Sequence, residues 1–366
     1  MQVDVLKNLT DPAILFFVVG VVIGTIRSNL EIPAQVAKFL SLYLLMALGF
    51  KGGQALIDAG LGGNGFKVVG AALLLAFAMP ALLFPILRRK VNQFDAAAIA
   101  ATYGSVSAVT FVTASQFLAT RDVEAGGYLT VALVVMESPA IIMAVLLATW
   151  VRSRQASEST SVPDRVMASA TDTTTLVSAE LLDGDRSNDV AASNERAGTD
   201  PTPLSIKEVL HEAFTDGAHL LLIGSMIVGA ISGPSGGELM APFTSDLFKG
   251  LLAFFLLEMG LLVARQLREV RDVGPFLIGF GLITPLVGAS LALSLSYVLD
   301  FSIGDATLLA TLAASGSYIV VPAVVRYAIP EARPSRYFTM ALAVTFPFNI
   351  IVGIPLYYEV AQIVLE

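Results

Sequence analysis

The sequence predicts an all-α membrane protein: ten transmembrane helices, built as two inverted five-helix repeats with broken, crossing helices at spans four and nine. Three observations predict it. The chain has 366 residues, of which 55% are hydrophobic and only 14% charged, with a mean hydropathy of +0.75; an ordinary soluble domain carries about 25% charged residues. Its apolar residues fall into ten runs near the roughly 20 residues that cross a bilayer. The two halves also share a pattern in the same order.

The runs are 12–28, 33–50, 66–87, 95–119 and 126–150, then 217–232, 243–264, 274–299, 304–328 and 336–362. They define a first five-helix repeat over 1–152, a flexible cytoplasmic linker over 153–203, and a second, inverted repeat over 204–366. The linker is rich in Ser, Thr, Asp, Glu and Ala and has no apolar period, so it cannot bury enough surface to order itself. It reads as a tether, or as a segment that orders when a regulator docks.

Basic residues set the orientation. Arg27, Arg88, Arg89, Lys90, Arg152, Arg154, Arg265, Arg268, Arg271, Arg326, Arg333 and Arg336 fall on one side. Lys7, Lys51, Lys67, Arg121 and Lys249 fall on the other. The first side is therefore cytoplasmic, and both termini face outward. The stretch "MQVDVLKNLTD" has no basic region leading into a short apolar run, so no cleavable signal peptide is expected.

The repeat rests on ordered pairs. "DPAILFFVVGVVIGTI" matches "DGAHLLLIGSMIVGAI", Pro80 matches Pro285, and Asp95-Ala96 matches Asp305-Ala306. "YLTVALVVMESPAIIMAVL" from Tyr128 matches "YFTMALAVTFPFNIIVGIP" from Tyr337. An odd number of spans per copy turns the second copy upside down, an arrangement typical of secondary transporters.

In the fourth span of each copy, Gly104-Ser105-Val106-Ser107 aligns with Ala314-Ser315-Gly316-Ser317. Small polar residues inside apolar flanks suit a broken helix, because an unpaired backbone group in hydrocarbon costs several kcal/mol unless it lines a cavity or meets protein. Two such breaks would aim helix N-termini at a small anion. The freed carbonyls would suit sodium. Close helix packing is the alternative. The substrate-binding candidates are Gly104, Ser105, Ser107, Ser315, Gly316, Ser317 and Tyr318, and the sodium candidates are Glu137, Ser107, Thr110, Ser317 and Asn349.

Glu137 lies mid-span with Pro139 just after it. A carboxylate at that depth is expensive and marks an ion site or a proton-coupled acid, against a protonated acid in a structural hydrogen bond. Asn349, one turn beyond its repeat partner Phe346, offers an amide oxygen or an interhelical hydrogen bond. Tyr318 reads either as a donor to an anion or as a packing aromatic. Glu258 lies within a span or near its cytoplasmic end. His211 and His219 are isolated, with no acidic partner at ligand spacing, and read as no metal site. There are no cysteines, which removes thiol catalysis and Cys-ligated zinc. The net charge of -8 is no nucleic-acid signature. No P-loop or nucleophile elbow is present. An enzyme is not expected, and transport would run on an ion gradient or passively.

"IPAQVAKFLSLYLLMALGFKGGQAL", "YGSVSAVTFVTAS", "VVMESPAII" and "SGSYIVVPAVVRYAIPEARPS" resemble the sodium-dependent bicarbonate transporter family known from cyanobacteria. The resemblance spans all but the linker. It implies ten spans in a core and a gate, a homotrimer in the bacterial inner membrane, sodium-coupled bicarbonate import by an elevator-like movement, and a small PII-like protein docking from the cytoplasm. Carried over by position, it implies a site at Ser105, Ser107, Thr110, Ser315, Ser317 and Glu137. The family carries Asp where this chain has Glu137, and Asp where it has Tyr318, so one carboxylate is missing for the cation. A non-cyanobacterial source and a small carboxylate substrate are the alternatives this leaves. A passive anion facilitator or channel, or a transporter-like sensor docking a cytoplasmic regulator, are the alternative functions.

Overall fold

A computed structural model of the protein describes residues 10–59, 62–159, 217–318 and 320–366. Every regular element among them is helical. The helices are α1 (Pro12–Thr25), α2 (Ala34–Ala59), α3 (Gly63–Leu87), α4 (Gln93–Gly104), α5 (Ala108–Ala119) and α6 (Tyr128–Ser159) in the first half. The second half holds α7 (Gly217–Ala241), α8 (Leu247–Gln266), α9 (Val270–Val273), α10 (Pro275–Leu299), α11 (Ile303–Ala313), α12 (Val320–Ala328), α13 (Pro334–Thr339), α14 (Phe346–Phe348) and α15 (Ile354–Leu365). Wider π turns at Pro242–Asp246, Met340–Thr345 and Asn349–Gly353 join α7 to α8 and run α13, α14 and α15 into one rod.

Seven stretches of the described chain are long and apolar enough to cross a membrane. The sequence runs numbered ten. The difference has two physical sources. The sixth and seventh runs form one stretch of 50 residues, Gly217–Gln266. The first and ninth runs are short continuous helices, Pro12–Thr25 and Ile303–Ala313. The polar segment assigned to 153–203 begins as the last turns of α6, which runs to Ser159; from residue 160 that segment lies outside the described residues, as does His211.

Local chemistry sets the helix ends. Asp11 caps α1 by accepting the Ala13 N–H at 2.8 Å, with Pro12 in the first turn where its missing N–H costs nothing. Asn92 caps α4 through the Phe94 N–H, and Ser302 caps α11 through the Asp305 N–H. In α7, Gly233 at φ 61 sits just before Pro234 and kinks the rod.

Glycines dictate which helices touch. A β-carbon on Gly20 of α1 would lie 2.2 Å from the Leu257 carbonyl oxygen of α8, and one on Gly260 would lie 2.2 Å from that of Phe17. Gly53 of α2 meets the Met226 carbonyl of α7 in the same way, at 2.0 Å, and Gly229 meets that of Phe50 at 2.1 Å. Helices α1 and α8, and α2 and α7, therefore pack backbone to backbone, as small residues allow in membranes. The remaining long helices surround the most buried stretch, Gln93–Ala119, whose apolar window is 94% buried.

Two aspartates tie distant loops to this group. Asp95, at the start of α4, accepts the Arg333 N–H at 2.7 Å and the Arg336 guanidinium at 2.8 Å. Asp305, at the start of α11, accepts the Gly126 N–H at 2.7 Å and the Tyr128 hydroxyl. Each aspartate grips the residues that lead into the other half's last span.

Candidate functional site

Both small-residue patches are interruptions in the helices. The α4 helix stops at Gly104, Ser105 is extended at φ -99 and ψ -177, and α5 starts at Ala108. The α11 helix stops at Ala313 and α12 begins at Val320. The interruptions meet. The Ser107 N–H donates to the Ser315 Oγ at 3.0 Å, and the Ser317 N–H donates to the Thr102 carbonyl at 3.0 Å. Backbone donors freed by one break are thus satisfied by the other, as hydrocarbon surroundings require.

Serine hydroxyls cap the helices that restart. Ser107 Oγ accepts the Thr110 N–H at 3.2 Å and the Thr110 hydroxyl at 2.9 Å. Ser317 Oγ accepts the Val321 N–H at 3.2 Å. Ser315 is committed on both sides, since its hydroxyl also donates to the Leu312 carbonyl at 2.9 Å. Neither Gly104 nor Gly316 adopts a positive φ. Gly104 is needed for space instead, because a β-carbon there would lie 2.1 Å from Pro80 Cγ. Gly316 has ordinary clearance, with its nearest atom at 3.5 Å.

A cavity of about 90 Å³ opens beside the breaks. Space measured this way holds a water in roughly 10–15 Å³, so the volume suits several waters or one small polyatomic ion. Its polar edge is Ser107, Ser317, Tyr318, Glu137, His219 and Ser41; the rest is aliphatic, with Phe255. Val106 to Val109 line it, so the positive N-terminal end of α5 faces the space. The wall on one side comes from α2, α7 and α8, and on the other from α5, α6 and the second break. The site therefore lies between the glycine-packed helices and the rest.

The sequence candidates divide. Ser107, Ser317, Tyr318 and Glu137 come together around the cavity. Gly104, Ser105, Thr110, Ser315 and Gly316 stand behind them and shape the breaks. Among the described residues, the buried Ser105 hydroxyl has no hydrogen-bond partner. Asn349 is spent elsewhere: its amide donates to the Ala314 carbonyl at 2.9 Å, and its oxygen accepts the Tyr357 hydroxyl at 2.7 Å. It holds the carbonyl end of α11, the interhelical role that the sequence left open. The packing reading of Tyr318 is seen: its ring packs edge-on against Phe346 at 5.6 Å, and the residue also lines the cavity beside Ser107 and Ser317. Glu258 is half-buried in α8 and does not line the cavity.

His219 is the residue that sequence reasoning set aside. It is not isolated from acids: its Nε2 pairs with the Glu137 Oε2 across the cavity. Glu137 is 8% exposed. The pair joins α6 to α7, so it bridges the two helix groups. Local spacing could not show it, since the two residues lie in different halves of the chain. Among the described residues no group of three or more His, Cys, Asp or Glu side chains forms a metal cluster. A hard cation here would rely on hydroxyls, carbonyls and one carboxylate.

Residues 12–362 match the family model described as the Na+-dependent bicarbonate transporter superfamily. No curated protein matches the chain.

Proposed function

The chain belongs to the Na+-dependent bicarbonate transporter superfamily, and from that premise we propose that it imports bicarbonate by sodium symport, with the site at the meeting of the two helix breaks. The observation that carries this reading is the cavity itself. It is small, mostly apolar, set between two helix groups, and edged by Ser107, Ser317 and the start of α5. An anion gains from the α5 N-terminus, whose first amides carry partial positive charge. A cation gains from the Glu137 carboxylate and neighbouring hydroxyl oxygens.

Ten crossings arranged as inverted repeats fit the described chain better than seven. A helix of 50 residues would be about 75 Å long, against roughly 30 Å of hydrocarbon, so Gly217–Gln266 supplies two crossings turning near Gly233 and Pro242. The broken pair α11 and α12 supplies one, and short α1 another. The reciprocal grips of Asp95 and Asp305 support a pseudo-twofold relation between the copies. Glycine-packed α1, α2, α7 and α8 would form a gate, and the others a core that slides against it as an elevator. The basic-rich loops support a cytoplasmic face: Arg27, Arg268 and Arg271 line one pocket, and Arg326 another. A homotrimer in the inner membrane, with a PII-like regulator docking at that face, completes the proposal.

Uptake of labelled bicarbonate into proteoliposomes, with and without an inward sodium gradient, tests it. Uptake is expected to need sodium. The double substitution Ser107→Ala and Ser317→Ala should suppress uptake while the protein still assembles. Sodium-independent, non-saturating flux would replace symport with passive permeation, and uptake of a small carboxylate in preference to bicarbonate would change the substrate.

A further inference from the structure

A second pocket, of about 310 Å³, is lined by Thr25, Arg27, Ala264, Leu267, Arg268 and Arg271. It lies where α1 and α8 end together. We propose that it holds the phosphate of an anionic membrane lipid.

Charge makes the first argument. Three arginine residues line one pocket. None of them takes part in a salt bridge among the described residues, whereas their neighbour Arg265 pairs with Glu31 at 3.3 Å. Single arginines near a helix C-terminus are explained by the helix dipole. Three exposed arginines lining one pocket, with no acidic partner among the described residues, concentrate positive potential there, and a guanidinium fork matches phosphate oxygens in pairs.

The backbone makes the second argument. Arg27 sits at φ 64, in the left-handed region where a β-carbon is strained and glycine is usual. The turn itself is ordinary: the N–H groups of Ile26, Arg27 and Ser28 bond back to the carbonyls of Val22, Gly24 and Ile23. Glycine would serve that turn better. An arginine there gives up backbone comfort and puts a cationic side chain at the pocket wall. Its position is fixed as well, because Gly24 packs against Ala264 and Gly20 against Gly260, which locks the end of α1 onto α8.

The surroundings choose lipid over a free anion. Leu267, which lines the pocket, is 39% exposed, and Val22 and Ile26 near the end of α1 are 49% and 73% exposed. At the ends of α1 and α8, in the proposed membrane orientation, these side chains would face acyl chains. A phosphodiester headgroup would then sit in the arginine pocket with its tails along α1. Anionic lipids favour juxtamembrane basic residues by a similar logic.

The test uses the full chain, delipidated in detergent and then titrated with phosphatidylglycerol or phosphatidylcholine. Bound lipid is read by native mass spectrometry and by thermal stabilisation. Phosphatidylglycerol should be retained and should stabilise; phosphatidylcholine should do neither as well. Removing the pocket's arginines as glutamine should weaken phosphatidylglycerol retention about fivefold for each charge lost. Arg27→Gly is the sharper variant. It relieves the strained turn, so it should unfold no more easily than the parent in phosphatidylcholine, yet retain less phosphatidylglycerol. Equal retention of both lipids by the parent would overturn the proposal, and so would unchanged phosphatidylglycerol retention in Arg27→Gly. Glycerol phosphate or inorganic phosphate giving the same stabilisation at equal concentration would assign the pocket to a soluble anion and also overturn it. Bicarbonate uptake is not among these readouts, so the lipid site stands or falls separately from symport.

Discussion

At the scale of single residues, the site is built from groups with two duties. Ser107 and Ser317 cap helices and also edge the cavity. An N-cap serine such as Ser107 is worth about 1 kcal/mol, so replacing it weakens the break as well as removing a hydroxyl from the cavity edge. The glycines separate the two duties. Gly104→Ala forces a β-carbon into the Pro80 ring and should reduce both folded yield and uptake. Gly316→Ala meets only ordinary contacts and should leave the amount of folded protein in the membrane unchanged. Quantifying monodisperse protein after extraction checks the pair. Glu137 and His219 give the residue-level prediction about ions. The carboxylate cannot give the same oxygen fully to a cation and to the imidazole. His219→Gln should therefore tighten apparent sodium affinity, and Glu137→Gln should weaken or abolish the sodium response. Sodium titrations of uptake measure both, and an unchanged response in Glu137→Gln returns that residue to a structural role. Glu137 was legible in the sequence because a lone acid between apolar residues is costly. His219 was not, since its partner is supplied by a fold that brings α6 against α7.

At the scale of elements, the breaks could be read ahead of any structure. Gly and Ser in the middle of an apolar run are poor helix formers, and their recurrence at one place in each half singles them out. Their closure on each other was not legible. Which N–H meets which acceptor is a property of two distant segments meeting, and no local pattern encodes it. The same limit applies to Asp95 and Asp305. Both stood out as paired landmarks ahead of spans four and nine, but their grips on Arg336 and Tyr128 are long-range. Asp95 is 3% exposed and faces a guanidinium and a backbone N–H. Asp95→Ala would strand both donors in a partly covered place and should cost about 2–3 kcal/mol. Thermal unfolding in detergent should show it as a lowered midpoint. Asp95→Asn keeps an acceptor and loses the charge, so it should fall between the parent and alanine. Asn349 followed the same course: a buried amide was visible in the sequence, and the structure spends it on the open carbonyl of α11.

At the scale of the whole molecule, the proposed transport cycle requires the two helix groups to slide past each other, and their contact surface offers a direct way to stop them. Gly52 of α2 lies against Thr130 of α6, across the boundary between the groups. A β-carbon on Gly52 would lie 2.9 Å from Thr130 Cβ. A disulfide needs about 3.5–4.5 Å between β-carbons, so a shift of under about 1 Å admits one. The chain contains no cysteine, which leaves no background thiol to react. Gly52→Cys with Thr130→Cys should therefore cross-link under mild oxidation. If core and gate must move relative to each other, the oxidised protein should lose nearly all bicarbonate uptake, and reductant should restore it. Each single cysteine variant controls for crowding at Thr130. Full uptake in the quantitatively cross-linked protein would mean that solutes cross without relative movement of α2 and α6, and the reading would move from an elevator to a fixed pathway. The outcome is decided by mechanics alone, since Gly52 and Thr130 do not line the cavity and their substitution leaves its polar edge intact.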